Sequence, residues 1–478
     1  MIFKAHRSGV CILWMTFGVY GFCQLVLMTV QFRYENIGDE MSSDSSTEFQ
    51  SSQPNTTDIA KLKTTPYKIS SEKTNNLLKK YHGFMRVDNV TVEAQTFAFS
   101  AYFYTEGKGN VVRVIVLSMR QNSLDPTTCQ LYGSGNKNLP FSLSILKGNI
   151  NYEEVRRQDI REHHNKRYAA AYFTCNVPYN MKPVGVSLVT HRCENPSNFM
   201  LIQYPEKQRW QFTVCVTPLN FRYSKAYELV EMIEMNRILG ADHFVFYNYS
   251  THVNVDKVLQ YYIDKDLVEV VQWHLPMKVD VWPKIKGHTT EIHYFGQLGA
   301  LNDCLYRNRY RSNFLVYQDL DEFIFPYKHQ NWNEMIESLP RRGVYMFRNT
   351  FFRKDWNDTE ELFDGKDLAK KYKSTILLKT WREAKIFGLR QRSKYIINPR
   401  KVDTVGIHNV WKERSASSLI NVPRDVALMH HYRDWENPHD KTKRDEDQTA
   451  LKYKDKLLGK LKTVWSVLKD VELGPLGF

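Results

Sequence analysis

Between Phe212 and Gln318 the chain alternates short apolar runs with helical patterns, and this alternation restricts its fold more than any other feature of the 478 residues. FTVCVTP reads as a buried strand, and SKAYELVEMIEMNRILG as a helix with Ser224 as N-cap and Gly240 as C-terminal stop. HFVFYN, VDKVLQYYI and VEVVQW read as strand, helix and strand, and IHYFGQLGALNDCLYRNRY as one long helix leading into the strand NFLVYQ. Strands joined by helices at this spacing need right-handed crossovers, so a mostly parallel central sheet in a Rossmann-like α/β domain is expected. Such sheets bind ligands beyond the carboxyl ends of their strands, near the point where strand order reverses.

The length allows two or three domains, and 42% hydrophobic residues suffice for folded cores. From Gly83 to Tyr204 the runs TVEAQTFAFSAYFY, NVVRVIVLSM, AAAYFTCNV and VGVSLVTH are β-branched and aromatic, separated by Gly, Pro and Asn. Residues 83–205 are therefore expected to form a β-rich accessory domain ahead of an α/β domain at 206–478. Residues 31–82, with MSSDSSTEFQSSQPNTTD, lack apolar periodicity and read as a flexible stem.

Val10 to Val30 carries no charge and, as a helix, spans about 30 Å, the thickness of a bilayer's hydrocarbon. The run exceeds the ~7–15 apolar residues of a cleavable signal peptide and lacks a small-residue cleavage site, so a transmembrane anchor at 10–30 is expected. Lys4, His6 and Arg7 before it leave residues 1–9 cytosolic and everything after Gln31 lumenal. Net charge +14 and a pI near 9.2 would suggest nucleic acid in a cytosolic chain; a lumenal chain meets none, and anionic ligands such as nucleotide diphosphates take its place. Of seven cysteines, Cys11 and Cys23 lie in the apolar run. The other five, Cys129, Cys175, Cys193, Cys215 and Cys304, show no zinc spacing, so one or two structural bridges are expected. Sequons at Asn55, Asn89, Asn248 and Asn357 fit the same compartment.

Into this frame falls NFLVYQDLDEFIFP, an apolar strand that ends in Asp319, Leu320, Asp321 and Glu322. On an extended chain Asp319 and Asp321 share one side, with Leu320 and Glu322 on the other. Two carboxylates in a cleft repel and need a partner, which Mg²⁺ or Mn²⁺ supplies while keeping positions open for phosphate oxygens. A bare DxD is common as a solvated strand end; its place at the ligand edge of an α/β sheet turns the reading toward a metal site.

The anchored chain with stem, β-rich region and DxD-bearing α/β domain resembles a type II Golgi glycosyltransferase of the GT-A class. More narrowly, VCVTPLNFRYSKAYELVEMIEMNRILGADHFVFYN, QLGALNDCLYR, QDLDEFIFP, RSKYIINPRKVDTVGIHNV and MHHYRDW resemble glycosyltransferase family 92, over about Trp210 to Trp435. The resemblance implies a UDP-sugar donor, of UDP-galactose type in characterised members, with Mn²⁺ or Mg²⁺ as metal. It also implies an inverting transfer that forms a β-glycosidic bond to a glycan acceptor on glycoprotein or glycolipid.

On that resemblance Asp321 binds the metal directly, and Asp319 binds it directly or through the donor's ribose or a water. A further ligand comes from a downstream histidine, with His408 placed ahead of His431, which is kept for donor binding. Lys394, Arg400 and Arg433 are candidates for the diphosphate, Lys394 and Arg433 foremost because they lie inside the motifs. Pro218 and Asn220, with Asn248, stand where base and ribose would be held, although the Asn248 sequon conflicts with a closed pocket. Gln297, Asn302 and Asp303 can reach donor hydroxyls or simply tether their helix. Inversion needs a carboxylate base, and among Asp355, Glu360, Glu361 and Glu383 the choice falls on Glu383 in TWREAKIFG. The polar span from Phe351 to Lys373 reads as an acceptor loop.

Two other functions fit parts of this pattern. A haloacid-dehalogenase-type phosphatase also carries DxD after a strand, but on the first strand of its domain and with Thr or Val where this chain has Phe323. A noncatalytic lumenal sugar-binding protein would retain the fold and lose the chemistry.

Overall fold

The computed structural model describes residues 83–87, 96–120, 125–133, 149–192, 194, 196–414, 419–435 and 441–476. The expected anchor and stem, the sequons at Asn55 and Asn89, and Cys11, Cys23 and Cys193 lie outside the described residues. Among the described residues no helix is long and apolar enough to cross a membrane.

Eight strands come first: β1 (Met85–Val87), β2 (Thr96–Glu106), β3 (Gly109–Met119), β4 (Thr128–Gly133), β5 (Ile150–Asp159), β6 (Tyr168–Val177), β7 (Pro183–Val189) and β8 (Met200–Gln203). Gly107, at φ +61°, makes the tight β2–β3 turn that few other residues tolerate. The order is β1-β2-β3-β6-β5-β4-β7-β8, and β2 also pairs with β8, so the sheet closes on itself. Closure leaves only the short β1 as an edge and encloses a core containing Val112, Val114, Phe173 and Leu188. A disulfide between Cys129 of β4 and Cys175 of β6 crosses that core.

The α/β part follows as β9 (Trp210–Cys215), α1 (Ala226–Leu239), β10 (His243–Asn248), α2 (Val253–Ile263), β11 (Val268–Gln272), α3 (Gln297–Asn308), β12 (Ser312–Tyr317), β13 (Glu322–Pro326), α4 (Trp332–Ser338), β14 (Val344–Phe347) and β15 (Asn349–Arg353). It continues with α5 (Lys366–Lys371), α6 (Thr375–Leu378), β16 (Trp381–Glu383), β17 (Lys394–Ile397), β18 (Val402–Val405), β19 (Val410–Glu413), β20 (Leu419–Asn421), β21 (Ala427–Arg433), β22 (Arg444–Glu446) and α7 (Lys454–Val467).

A seven-stranded sheet has the order β11-β10-β9-β12-β17-β14-β20, and β11, β10, β9 and β12 are mutually parallel as expected. The order runs outward from β9 to β11 and then resumes on the other side at β12, which puts the switch point between β9 and β12. A second sheet has the order β13-β21-β15-β16-β22. The chain crosses between these two sheets at β12–β13 and again at β14–β15, so the acidic stretch sits on a seam.

Three local expectations change. Ser224 does not cap α1; its hydroxyl accepts the Leu476 N–H at 3.0 Å, while Gly240 does end the helix at φ +116°. The long helix before β12 is broken: Phe295 and Gly296 have φ of +52° and +64°, so α3 starts only at Gln297. The acidic stretch does not prolong a strand. β12 ends at Tyr317, and a turn follows in which the Glu322 N–H donates to Asp319 O (3.3 Å) and the Asp319 N–H to Glu322 Oε2 (2.8 Å).

α3 lies between the closed sheet and the parallel one. Leu301 and Leu305 share a core with Ile115 and Leu117 on one side and Tyr247 and Trp273 on the other, and a disulfide joins Cys304 to Cys215 at the end of β9. α1 carries Glu231 into the interior, where it accepts the Ser374 hydroxyl (2.5 Å) and the Thr375 N–H (3.0 Å). Burial pushes its carboxyl up to about 7 despite those hydrogen bonds. The folded value lies above the unfolded one, so this group's contribution falls as pH rises from about 4.5 through about 7. Glu231→Gln should therefore gain stability relative to the unmodified protein between pH 5 and 8, by up to about 3 kcal/mol. Denaturant titrations of both proteins across that range measure the difference.

Candidate functional site

The site begins where β9 and β12 end side by side. Thr217, two residues past β9, donates its hydroxyl to Asp319 Oδ1 (2.7 Å), and Lys394, the first residue of β17, donates to Asp319 Oδ2 (2.8 Å). β17 runs antiparallel to β12, which brings Lys394 to the carboxyl end of β12. Its side chain is 3% exposed and also lies 3.0 Å from Glu322 Oε2. Burial alone would lower the ammonium's pKa, and the two carboxylates more than reverse that. Burial likewise pushes Asp319 up, and Lys394 brings it below the usual carboxylate range.

Asp321 is held from the second sheet. Register pairs Glu322 of β13 with His431 of β21, and the Tyr432 N–H donates to Asp321 O at 2.8 Å. His431 Nε2 stands 3.4 Å from Asp321 Oδ2, and its Nδ1 faces Glu322 Oε1 at 3.4 Å and Asn349 Nδ2 at 3.4 Å. Burial raises the Asp321 carboxyl, and His431 carries it well below the ordinary range; the same pairing lifts His431 above its usual value against burial. Glu322 is 1% exposed and faces this cluster, not the opposite side as an extended strand would place it. Burial pushes it up to about 7.

These residues suit a hard divalent cation. Cis ligands of an octahedral ion at ~2.1 Å stand ~3.0 Å apart, within a few tenths of an ångström of the Asp321–His431 separation. A metal-bound histidine usually donates its other ring N–H to a carboxylate, which is the place of Glu322. Both Asp319 oxygens are engaged by Thr217 and Lys394, although its side chain, 32% exposed, is as open as that of Asp321 at 30%. Among the described residues no set of three or more His, Cys, Asp or Glu forms a ready metal centre.

His408, expected as the further ligand, lies within electrostatic reach of Lys394 and Asp319. Its Nδ1 meets Ser393 O at 3.3 Å and it makes no ion pair with Asp319 or Asp321; burial and then Lys394 lower it to about 4. Arg400 lies at the far end of β17 and donates to Tyr310 O (3.2 Å), away from the cluster. Arg433 is two residues beyond His431, near the rings of Phe351 and Trp435. Glu383 is on the second strand beyond β21, with Phe351 between it and His431, and is 3% exposed. Asp355 is paired with Arg353 at 2.7 Å, and Glu360 and Glu361 are exposed.

Pro218 is buried and Asn220 donates to its carbonyl (3.0 Å), both in the loop that carries Thr217. Asn248 ends β10 and donates to Thr251 Oγ1 (2.9 Å). Gln297 is buried at the first turn of α3. Asn302 and Asp303 do not face the cluster. Asn302 bonds both backbone groups of the α3–β18 contact, at Val405 N (3.0 Å) and Val405 O (2.9 Å). Asp303 accepts Ser100, Tyr102 and Tyr247 hydroxyls at 2.5, 2.6 and 2.7 Å and pairs with Arg307 at 3.0 Å. Its carboxylate ties the closed sheet to α3, so the expected role toward donor hydroxyls does not hold for either residue. Tyr247→Phe should cost about 2 kcal/mol in urea unfolding, as for a lost hydrogen bond to a buried charge.

Several contributors escaped the sequence reading: Thr217, Lys354, Glu228 and Tyr294. Lys354 Nζ lies 2.7 Å from Glu228 Oε1, and Tyr223 donates to that carboxylate at 2.9 Å. Tyr294 has φ +36°, next to Phe295 at +52°, and across from them Phe221 and Arg222 have +53° and +49°; the Phe221 and Phe295 rings meet edge to face at 5.0 Å. Left-handed backbone at four non-glycine residues is costly and gathers at ligand-binding sites. The only sequence cue for them is their place just past a strand or before a helix.

Comparison with known proteins bears on this geometry. The model of glycosyltransferase family 92 matches residues 211–463, more than half of the chain. The beta-1,4-galactosyltransferase galt-1 of Caenorhabditis elegans is 25% identical over 50% of this chain and 54% of its own. Glycosyltransferase family 92 protein F13G3.3 of the same organism is 20% identical over 73% of this chain and 66% of its own. The galactan beta-1,4-galactosyltransferase GALS2 of Arabidopsis thaliana is 26% identical over 24% of this chain and 21% of its own. The chain thus spans about half the length of the first of these relatives and less of the last.

Proposed function

Because the chain belongs to glycosyltransferase family 92 and is a glycosyltransferase, we propose that it is a GT-A-type, metal-dependent, inverting galactosyltransferase using UDP-galactose. The product would be a β-linked galactose on a glycan of a glycoprotein or glycolipid. The observation that carries this reading is the position of Asp319 and Asp321 at the switch point between β9 and β12, with His431 behind Asp321. The donor sugar is supported by the galactosyltransferase names of two relatives.

In this reading Asp321 and His431 hold Mn²⁺ or Mg²⁺, with Glu322 orienting the imidazole. When bound, the ion offsets charge on the departing diphosphate as a Lewis acid. Asp319, fixed by Thr217 and Lys394, orients the ribose or a water, and Lys394 supplies a buried positive charge beside the phosphates. The loop with Pro218 and Asn220, with Tyr294 across from it, walls the nucleoside side. Arg433 adds a cation at the strand end. For the base, access supports Asp434, exposed one residue past β21 and 3.8 Å from Lys225, over the buried Glu383. Golgi residence with a lumenal catalytic part is proposed from the apolar run at 10–30 and the two disulfides, which suit an oxidising compartment.

The test is release of UDP from UDP-galactose by the purified protein, with Mn²⁺, with EDTA, and with a panel of glycans. Metal-dependent turnover that rises with one acceptor class supports the reading. Donor binding without turnover at any acceptor would make the protein a noncatalytic sugar-binding one, and phosphate release from monoesters alone would make it a phosphatase. Asp434→Asn should abolish transfer and spare metal-dependent UDP-galactose binding, whereas Glu383→Gln should leave transfer within a few fold.

A further inference from the structure

Lys354 links the site to a second concavity. It stands one residue beyond β15, its N–H donates to Arg433 O (3.0 Å), and its side chain lines a pocket of about 270 Å³. Tyr227 of α1, Asp358, and Lys370, Lys373 and Lys379 around α5 and α6 complete most of the wall. Four lysines and one aspartate leave this lining strongly positive. Lys354 is paired with Glu228 (2.7 Å) and Lys379 with Asp358 (2.9 Å). Lys373 meets neutral groups, the Gly474 carbonyl (2.6 Å) and the face of the Tyr227 ring (5.4 Å), and neither it nor the exposed Lys370 has a carboxylate partner among the described residues. Two lysines therefore line one small space without a carboxylate partner, an arrangement that an anion relieves.

The position argues for the acceptor. The strand β21 that bears His431 ends at Arg433, about 7 Å further along, and Lys354 abuts that end. The nucleoside side lies instead beyond β9 and β10, on the other sheet.

We infer that the Lys354–Lys370–Lys373–Lys379 pocket holds an anionic substituent, carboxylate, sulfate or phosphate, on the acceptor sugar. This deepens the transferase reading and rests on it for the word acceptor. The experiment separates the two. The full chain, kept in EDTA, is titrated calorimetrically with glucuronate, galactose 6-sulfate, galactose 6-phosphate and neutral galactose. At least one of the charged sugars should bind saturably and at least ~10-fold more tightly than galactose. Lys370→Glu/Lys373→Glu should weaken that binding ~10-fold or more, and Lys370→Arg/Lys373→Arg should keep it. Lys370→Glu alone, at an exposed position, serves if the double variant melts early. Equal binding of galactose, no saturable binding of any charged sugar, or affinity indifferent to the Glu substitutions overturns the inference. Metal-dependent UDP-galactose turnover, measured on the unmodified chain, judges the transferase reading by itself, because anion binding in EDTA does not need it.

Discussion

Asp321→Ala is expected to lower kcat/KM for sugar transfer about 10³-fold, close to 4 kcal/mol of transition-state stabilisation, with the fold intact. The side chain is 30% exposed, so its loss removes the proposed metal ligand and little buried surface. His431→Ala should act in the same direction and raise the Mn²⁺ concentration needed for half-maximal rate. His408→Ala, with no ion pair to either aspartate, should change the metal requirement little. Initial rates against Mn²⁺ and donor, with circular dichroism to confirm folding, decide the matter. Full transfer by Asp321→Ala would end the metal assignment, and a metal requirement shifted by His408→Ala but not by His431→Ala would return the ligand role to His408.

Lys394→Met should destabilise the protein by about 3–5 kcal/mol, the cost of removing one partner from a buried charge group. The ammonium lies between Asp319 Oδ2 (2.8 Å) and Glu322 Oε2 (3.0 Å), so the variant leaves the buried Glu322 carboxylate and the partly exposed Asp319 carboxylate facing each other across its place. A second substitution, Lys394→Met/Glu322→Gln, should recover part of the loss by removing one of the repelling charges. Urea midpoints of the three proteins measure the coupling. A loss below about 1 kcal/mol for Lys394→Met would mean that the lysine is not needed to hold the carboxylates together.

Much of the α/β part was legible. The β9–β12 strands, α1 and α2 carry their periodicity openly, because burial on one or both faces writes itself into consecutive residues. The break before α3 was not, since Phe295 is apolar and fits a helical stripe; only its left-handed backbone, packed under the Phe221 ring, ends the pattern. Asn302 and Asp303 looked like donor contacts from their helix, and became tethers because the closed sheet brings Tyr102 and Tyr172 onto that face of α3.

What the sequence by itself determined is local: the alternating strands and helices, the β-rich run before them, and an acidic pair placed just past a buried strand. The tertiary structure decided which groups answer that pair. His431 meets Asp321 because β21 registers on β13, and Lys394 meets Asp319 because β17 returns antiparallel beside β12. Periodicity reports what a residue buries against its own element, whereas these partners are set by strand pairing across more than seventy residues of chain, which depends on the closure of the whole sheet and not on any one segment.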